Sequence, residues 1–158
     1  SDVDLTMMLY QITEEFYPAF SSKGLQLNAN IQPGLRLRGD ADKLARVFDN
    51  LLRNAVSYSY ENTVIQLIAQ SEGDYIQIVV RNRGDRIPPQ KLERLFEKFY
   101  RVDTSRGTAS GGAGLGLAIA KQLVELHQGT IEVRSLDTYT EFMVQLPGKS
   151  RAEQEQTS

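Results

Sequence analysis

Residues Gly107-Thr-Ala-Ser-Gly-Gly-Ala-Gly-Leu-Gly-Leu117 form an uncharged, glycine-rich segment that runs directly into apolar positions at helical spacing: Leu117, Ile119, Ala120, Leu123, Val124 and Leu126. Glycines let a backbone approach a phosphate closely and adopt left-handed dihedrals, while the open N–H groups and positive dipole end of the following helix attract the anion. The arrangement predicts a phosphate-binding hinge, and hence a bound nucleotide. Two better-known phosphate loops are excluded. No Gly-Lys-Ser/Thr follows, and the glycines at 112, 114 and 116 do not fall as GxGxxG after a strand. Taken alone, the segment also reads as a flexible Gly/Ser linker, so the rest of the chain must decide.

On either side of it, helical and strand patterns alternate. Leu5, Met8, Leu9, Ile12 and Phe16 predict an amphipathic helix over about 4–22, ending before Pro18 or near Gly24. Short strands flank the turn Pro33-Gly34, and Asp40 is placed to cap a second helix with Leu44, Phe48, Leu51 and Ala55 on its apolar face. Strands follow at about 63–70 and 75–81, then a helix at about 89–96 after Pro88-Pro89. Two strands, about 130–135 and 139–146, close a layered α+β domain. The polar stretch from Gly148 to Ser158 reads as a frayed tail.

Composition fits one domain with a real core: 158 residues, 41% hydrophobic and 24% charged. The absence of cysteine excludes a disulfide framework and thiolate metal sites, and is consistent with a reducing, cytosolic compartment. No apolar run approaches the roughly 20 residues that span a bilayer, so no direct membrane insertion is expected. A net charge of −2 gives no reason to expect a nucleic-acid partner.

The second helix carries another signal. Asn50, Asn54 and Ser57, with Arg46 and Arg53 beside them, return to the side opposite the apolar face. Asparagine is a mediocre helix former, and two of them one turn apart in mid-helix conflict with local propensity in a way that often marks a site. An amide oxygen suits a hard cation such as magnesium, and the amide nitrogen can donate to phosphate. An ordinary solvated face is the alternative reading.

Together these segments resemble one family. Asp49-Asn-Leu-Leu-Arg-Asn-Ala-Val-Ser-Tyr58 is similar to the N box of sensor histidine kinases, Asn82-Arg-Gly-Asp-Arg-Ile-Pro88 to the G1 box, Leu95-Phe-Glu-Lys-Phe-Tyr-Arg101 to the F box, and Gly112-Ala-Gly-Leu-Gly-Leu117 to the G2 box. The motifs occur in the family's order, and the resemblance spans about residues 3–147. Within the family, the F and G2 segments are most similar to sensors of glycopeptide-antibiotic resistance. The resemblance implies a Bergerat-type (GHKL) two-layer sandwich, with a mixed, mainly antiparallel sheet on about three helices. ATP and Mg2+ would lie between the N-box helix and a mobile lid, residues 102–113.

By the same resemblance, Asn54 would ligand magnesium with support from Asn50, and Arg101 would face the phosphates. Ser57, Tyr58, Asn82, Gly84, Ile87, Tyr100, Gly112, Gly114, Leu115, Gly116 and Leu117 would complete the nucleotide site, with Phe96 and Phe99 as anchors beneath the lid. His127, the chain's single histidine, reads as a helix-ending residue before Gly129, and Gln128 follows it where the family's phosphoacceptor is followed by an acid. The acceptor is therefore expected on a separate dimerisation domain of a longer membrane sensor. A response regulator is the further partner, and the isolated chain is expected to be monomeric.

Three positions depart from the family's pattern. Asn82 stands in place of an adenine-binding aspartate, which predicts weaker and less selective base recognition. Arg86 replaces a glycine, at a cost of about 1 kcal/mol if that position needs a positive φ. Ser57 replaces a phosphate-facing lysine, leaving Arg53, Arg101 or Arg106 to compensate. A degenerate nucleotide-binding or regulatory module is the alternative function. ATPases of the same fold place a glutamate where Asn50 stands; an amide cannot act as a general base, so hydrolysis is expected to be slow. Anti-sigma-type kinases typically lack the F box.

Overall fold

The computed structural model describes residues 1–98, 100 and 116–149. In chain order the elements are β1 (Asp2–Asp4), α1 (Leu5–Ser22), β2 (Gln26–Ile31), β3 (Arg36–Arg38), α2 (Ala41–Tyr58), β4 (Val64–Glu72), β5 (Tyr75–Arg83), α3 (Pro89–Leu92), α4 (Gly116–Leu126), β6 (Thr130–Leu136) and β7 (Tyr139–Pro147). Five strands form a sheet in the order β2-β4-β5-β7-β6, parallel only between β2 and β4, and β1 pairs with β3 in a separate antiparallel ribbon. The expected α+β sandwich is present.

One sheet face carries Ile65, Leu67, Ile78, Val80, Phe142, Val144 and Leu146, all buried, against the apolar sides of α1, α2 and α4. Helix α2 contributes Leu44, Val47, Phe48, Leu51, Leu52 and Ala55, so it is the central helix of the layer. Its start follows sequence logic: the Asp40 side chain accepts a hydrogen bond from the Lys43 N–H at 3.1 Å.

Helix α1 covers the expected span, and one expectation, the length of the helix after Pro88, is corrected. Helix α1 runs through Pro18, which is exposed, so water can satisfy the carbonyl that loses its partner. Of the two expected stops the glycine is the one used: α1 ends at Ser22, and just beyond it Gly24 has φ +69°, Leu25 N–H reaches Phe20 O at 2.8 Å and Gly24 N–H reaches Ser21 O at 3.2 Å. The expected helix 89–96 is only Pro89–Leu92, continued by turns to residue 98. Gly148 N–H donates to Asp74 O and the buried Lys149 pairs with Asp2 at 3.2 Å, so these two residues belong to the fold; the rest of the expected tail lies outside the described residues.

On the opposite sheet face, Gln66, Arg81, Glu141 and Arg134 lie in register across β4, β5, β7 and β6. Glu141 is 3% exposed and takes hydrogen bonds from Arg81 and Arg134, while Arg81 also reaches Gln66 at 2.8 Å. Burial pushes the Glu141 carboxyl up, but the bonds from Arg81 and Arg134 outweigh it and hold the group below its ordinary value. A lowered carboxyl contributes stability that is present above its unfolded value and is lost as pH falls through its folded one. Glu141→Gln is therefore expected to destabilise the domain by about 1–3 kcal/mol at neutral pH, with the difference from wild type shrinking below about pH 4.3. Side-chain exposures of 34% for Arg81 and 57% for Arg134 keep the effect below that of a fully buried pair. Urea denaturation at pH 7 and pH 3 measures it; an unchanged difference at the two pH values would contradict the coupling.

Candidate functional site

Helix α2 lies between two neighbours, α1 on one flank and α4 on the other. Asn50, Asn54 and Ser57 are all half-buried. Asn50 faces α4: its Nδ2 donates to the Gly116 carbonyl at 3.1 Å, tying mid-α2 to the first residue of the helix that follows the glycine-rich segment. Gly116 stands close enough that an added Cβ would come within 3.7 Å of the Asn50 amide.

The two arginines expected beside the asparagines lie on the other flank. Arg53 pairs with Asp49 at 2.9 Å and stacks 5.9 Å from the Phe16 ring of α1, and Arg46 lines a groove between α1 and α2. Arg53 therefore does not stand in for the missing lysine. Arg101 and Arg106 lie outside the described residues, as do Gly112, Gly114, Leu115, Phe99 and the expected lid.

Past Ser57 the helix terminates against the end of β5. Lys23 Nζ donates to the carbonyls of Val56 and Ser57 at 2.8 and 3.0 Å, supplying a cation where the helix dipole is negative. Gly84 then passes so close that a Cβ on it would lie 2.3 Å from the Tyr58 carbonyl oxygen. Here glycine is required by contact rather than by φ.

Asn82, on β5, is 3% exposed. The loop from Gly84 to Pro88 beside it is held from three directions. Gly84 N–H donates to Thr138 O at 2.8 Å, Tyr60 donates its hydroxyl to Asp85 at 2.5 Å, and Ile87 N–H donates to Ser135 Oγ at 2.9 Å. Positive φ among the described non-glycine residues occurs at Asn62, Gln128 and Asp137, so Arg86 carries no left-handed strain and the expected cost does not arise.

The remaining described motif residues make packing contacts. Phe96 meets Phe142 edge to face at 6.2 Å, with Lys121 Nζ 5.5 Å from its ring, which makes it a core contact. Tyr100 is half-buried beneath the Arg94 guanidinium, 4.3 Å away, and Leu117 packs on the core. His127 Nδ1 lies 2.8 Å from Leu123 O, closing α4 as expected. Its Nε2 also accepts the Asp40 N–H at 3.1 Å, which pins the end of α4 to the start of α2. Lys23, Tyr60 and Ser135 have no motif signal, because each acts through contacts 25 or more residues away in sequence.

Half-buried Asn50 and Asn54 thus share α2, Asn50 is bonded to the glycine that leads α4, and Asn82 is buried on β5. Residues 39–150 match the family model of histidine kinase-, DNA gyrase B- and HSP90-like ATPases, and the chain belongs to that family. It is similar to the sensor protein VanS of Enterococcus faecium, 49% identical over 92% of this chain and 38% of that protein, and to VanSC of Enterococcus gallinarum, 46% identical over 91% and 40%. The chain thus spans about two fifths of the length of these relatives. The mycobacterial sensor histidine kinase MprB has the same fold, with a TM-score of 0.82, 28% identity, and coverage of 94% of this chain and 97% of that one. Among the described residues no helix is long and apolar enough to cross a membrane.

Proposed function

We propose that this chain is the catalytic ATP-binding domain, over about residues 1–147, of a two-component sensor histidine kinase, and that it presents the γ-phosphoryl group of Mg-ATP to a histidine on a dimerisation domain of the parent protein. The bond between Asn50 and Gly116 carries the reading, because it joins the amide row of α2 to the helix that starts the phosphate-binding segment. Asn54 and Asn50 would hold magnesium through amide oxygens, with Arg101 and the 112–116 glycines facing the phosphates. The donor chemistry fits: amide oxygens are hard, neutral ligands suited to magnesium, and the phosphates would supply its anionic ligands. Tyr58, Asn82, Gly84 and Ile87 would surround the base.

The domain's contribution is positioning and charge neutralisation; the nucleophile comes from the dimerisation domain. Hydrolysis is disfavoured, since Asn50 is no base and Asp49 is held by Arg53 on the α1 flank. A response regulator would accept the phosphoryl group, and the parent would place this domain on the cytoplasmic side of a membrane. The test is phosphoryl transfer from ATP to a separately supplied dimerisation domain of a vancomycin-type sensor. Labelling of that domain is expected, and its absence in the presence of bound Mg-ATP would favour a regulatory binding module.

Asn82 gives this site a second measurable property. An amide makes a neutral hydrogen bond to adenine where a carboxylate would make a charge-assisted one, a difference worth about tenfold in affinity. Asn82→Asp is expected to tighten ADP about tenfold and to raise discrimination against GTP, measured by titration calorimetry. Equal ATP-to-GTP ratios in wild type and variant would remove Asn82 from base recognition.

A further inference from the structure

The helix-facing side of the sheet is apolar except at one end, where Asn82, Thr140 and Ser135 stand in register across β5, β7 and β6, at 3%, 5% and 5% exposure. Three polar side chains buried in one row would each cost stability unless bonded. Ser135 is fully engaged. Its Oγ accepts the Ile87 N–H at 2.9 Å and lies 3.3 Å from Thr140 Oγ1 and 3.5 Å from Tyr139 O, either of which can take its proton.

The bond to Ile87 spans 48 residues and reaches into the loop between Gly84 and Pro88. Among the described residues, the backbone N–H groups of Asp85 and Arg86 make no hydrogen bond, so Ile87 N–H is the loop's backbone tie between Gly84 and Pro88. The Tyr60–Asp85 contact holds the same loop by an exposed side chain, whereas Ser135 holds it from inside the fold.

We infer that Ser135 is a positioning residue for the nucleotide-base pocket: its hydroxyl fixes the Ile87 backbone, and through it the 84–88 loop beside Asn82. The inference rests on the nucleotide reading above. Removing the hydroxyl leaves the Ile87 N–H without its partner and lets the loop adopt several conformations, so a base loses a preformed wall while the phosphate end, built by α2 and α4, is untouched.

The experiment is titration calorimetry of wild type, Ser135→Ala and Ser135→Thr with Mg-ADP and with magnesium tripolyphosphate, alongside hydrogen exchange of the 84–88 segment. Ser135→Ala is expected to weaken Mg-ADP about five- to tenfold, leave tripolyphosphate binding unchanged, and lose protection at Ile87 while β5 and β7 stay protected. Ser135→Thr, which keeps the hydroxyl, is expected to restore ADP affinity to within about twofold of wild type. Equal weakening of ADP and tripolyphosphate would show a general structural role and overturn the inference, as would a Ser135→Ala variant that binds ADP like wild type. Failure of wild type to bind Mg-ADP would overturn the nucleotide reading and the inference with it.

Discussion

Asn54→Ala is expected to eliminate the magnesium-dependent part of nucleotide binding, weakening Mg-ATP by roughly 10- to 150-fold while leaving the fold intact. The range follows from losing one ligand to a charged group, about 1.5–3 kcal/mol. The fold should survive because Asn54 is only half-buried and the apolar face of α2 is carried by Leu44, Val47, Phe48, Leu51, Leu52 and Ala55. Asn50 cannot replace it fully, since its Nδ2 is committed to the Gly116 carbonyl and the side chain is thereby fixed against α4. Calorimetric titration with a non-hydrolysable ATP analogue, with and without magnesium, separates the terms. If the variant kept the wild-type magnesium dependence, the metal ligand would have to be sought elsewhere.

The second large effect is expected at Gly84. In Gly84→Ala the new Cβ would sit 2.3 Å from the Tyr58 carbonyl oxygen, a backbone atom. Neither side can retreat easily. Lys23 holds the end of α2 through the carbonyls of Val56 and Ser57, and Gly84 N–H is bonded to Thr138 O. Overpacking of this kind costs about 1–3 kcal/mol, which corresponds to a fall in Tm of roughly 3–10 °C, and the displaced loop should reduce ADP affinity more than tenfold. Gly34→Ala is the control: φ there is +72° but nothing lies within 4 Å of an added Cβ. It should cost about 1 kcal/mol of stability through backbone strain without touching nucleotide affinity. Comparable losses of affinity in both variants would show that Gly84 acts through stability alone.

Legibility from sequence differed with the range of the interaction. Asp40 as a cap, the apolar face of α2 and the helix opening at Gly116 depend on neighbours within a turn or two, and each is where its local pattern puts it. Pro18 left the end of α1 open between two stops, because its effect depends on exposure, which only the packed helix reveals. β1 gave no usable signal: three residues, Asp-Val-Asp, become a strand only because β3 supplies the partner. Arg53 shows the same limit at the site. Helical spacing puts it near Asn50 and Asn54, yet Asp49 and the Phe16 ring draw its long side chain to the α1 flank.

The family, the layered architecture and the amide row were therefore determined by the sequence alone, because hydrophobic period, caps and motif spacing are properties of contiguous residues. The tertiary structure decided how those parts meet. It set Gly84 against the Tyr58 carbonyl, Lys23 under the end of α2, Ser135 behind Ile87 and Glu141 between two arginines. Except for Arg134, which meets Glu141 across the β6–β7 hairpin, each is a contact between residues far apart in the chain, where packing distance and burial fix the outcome and no local pattern encodes it.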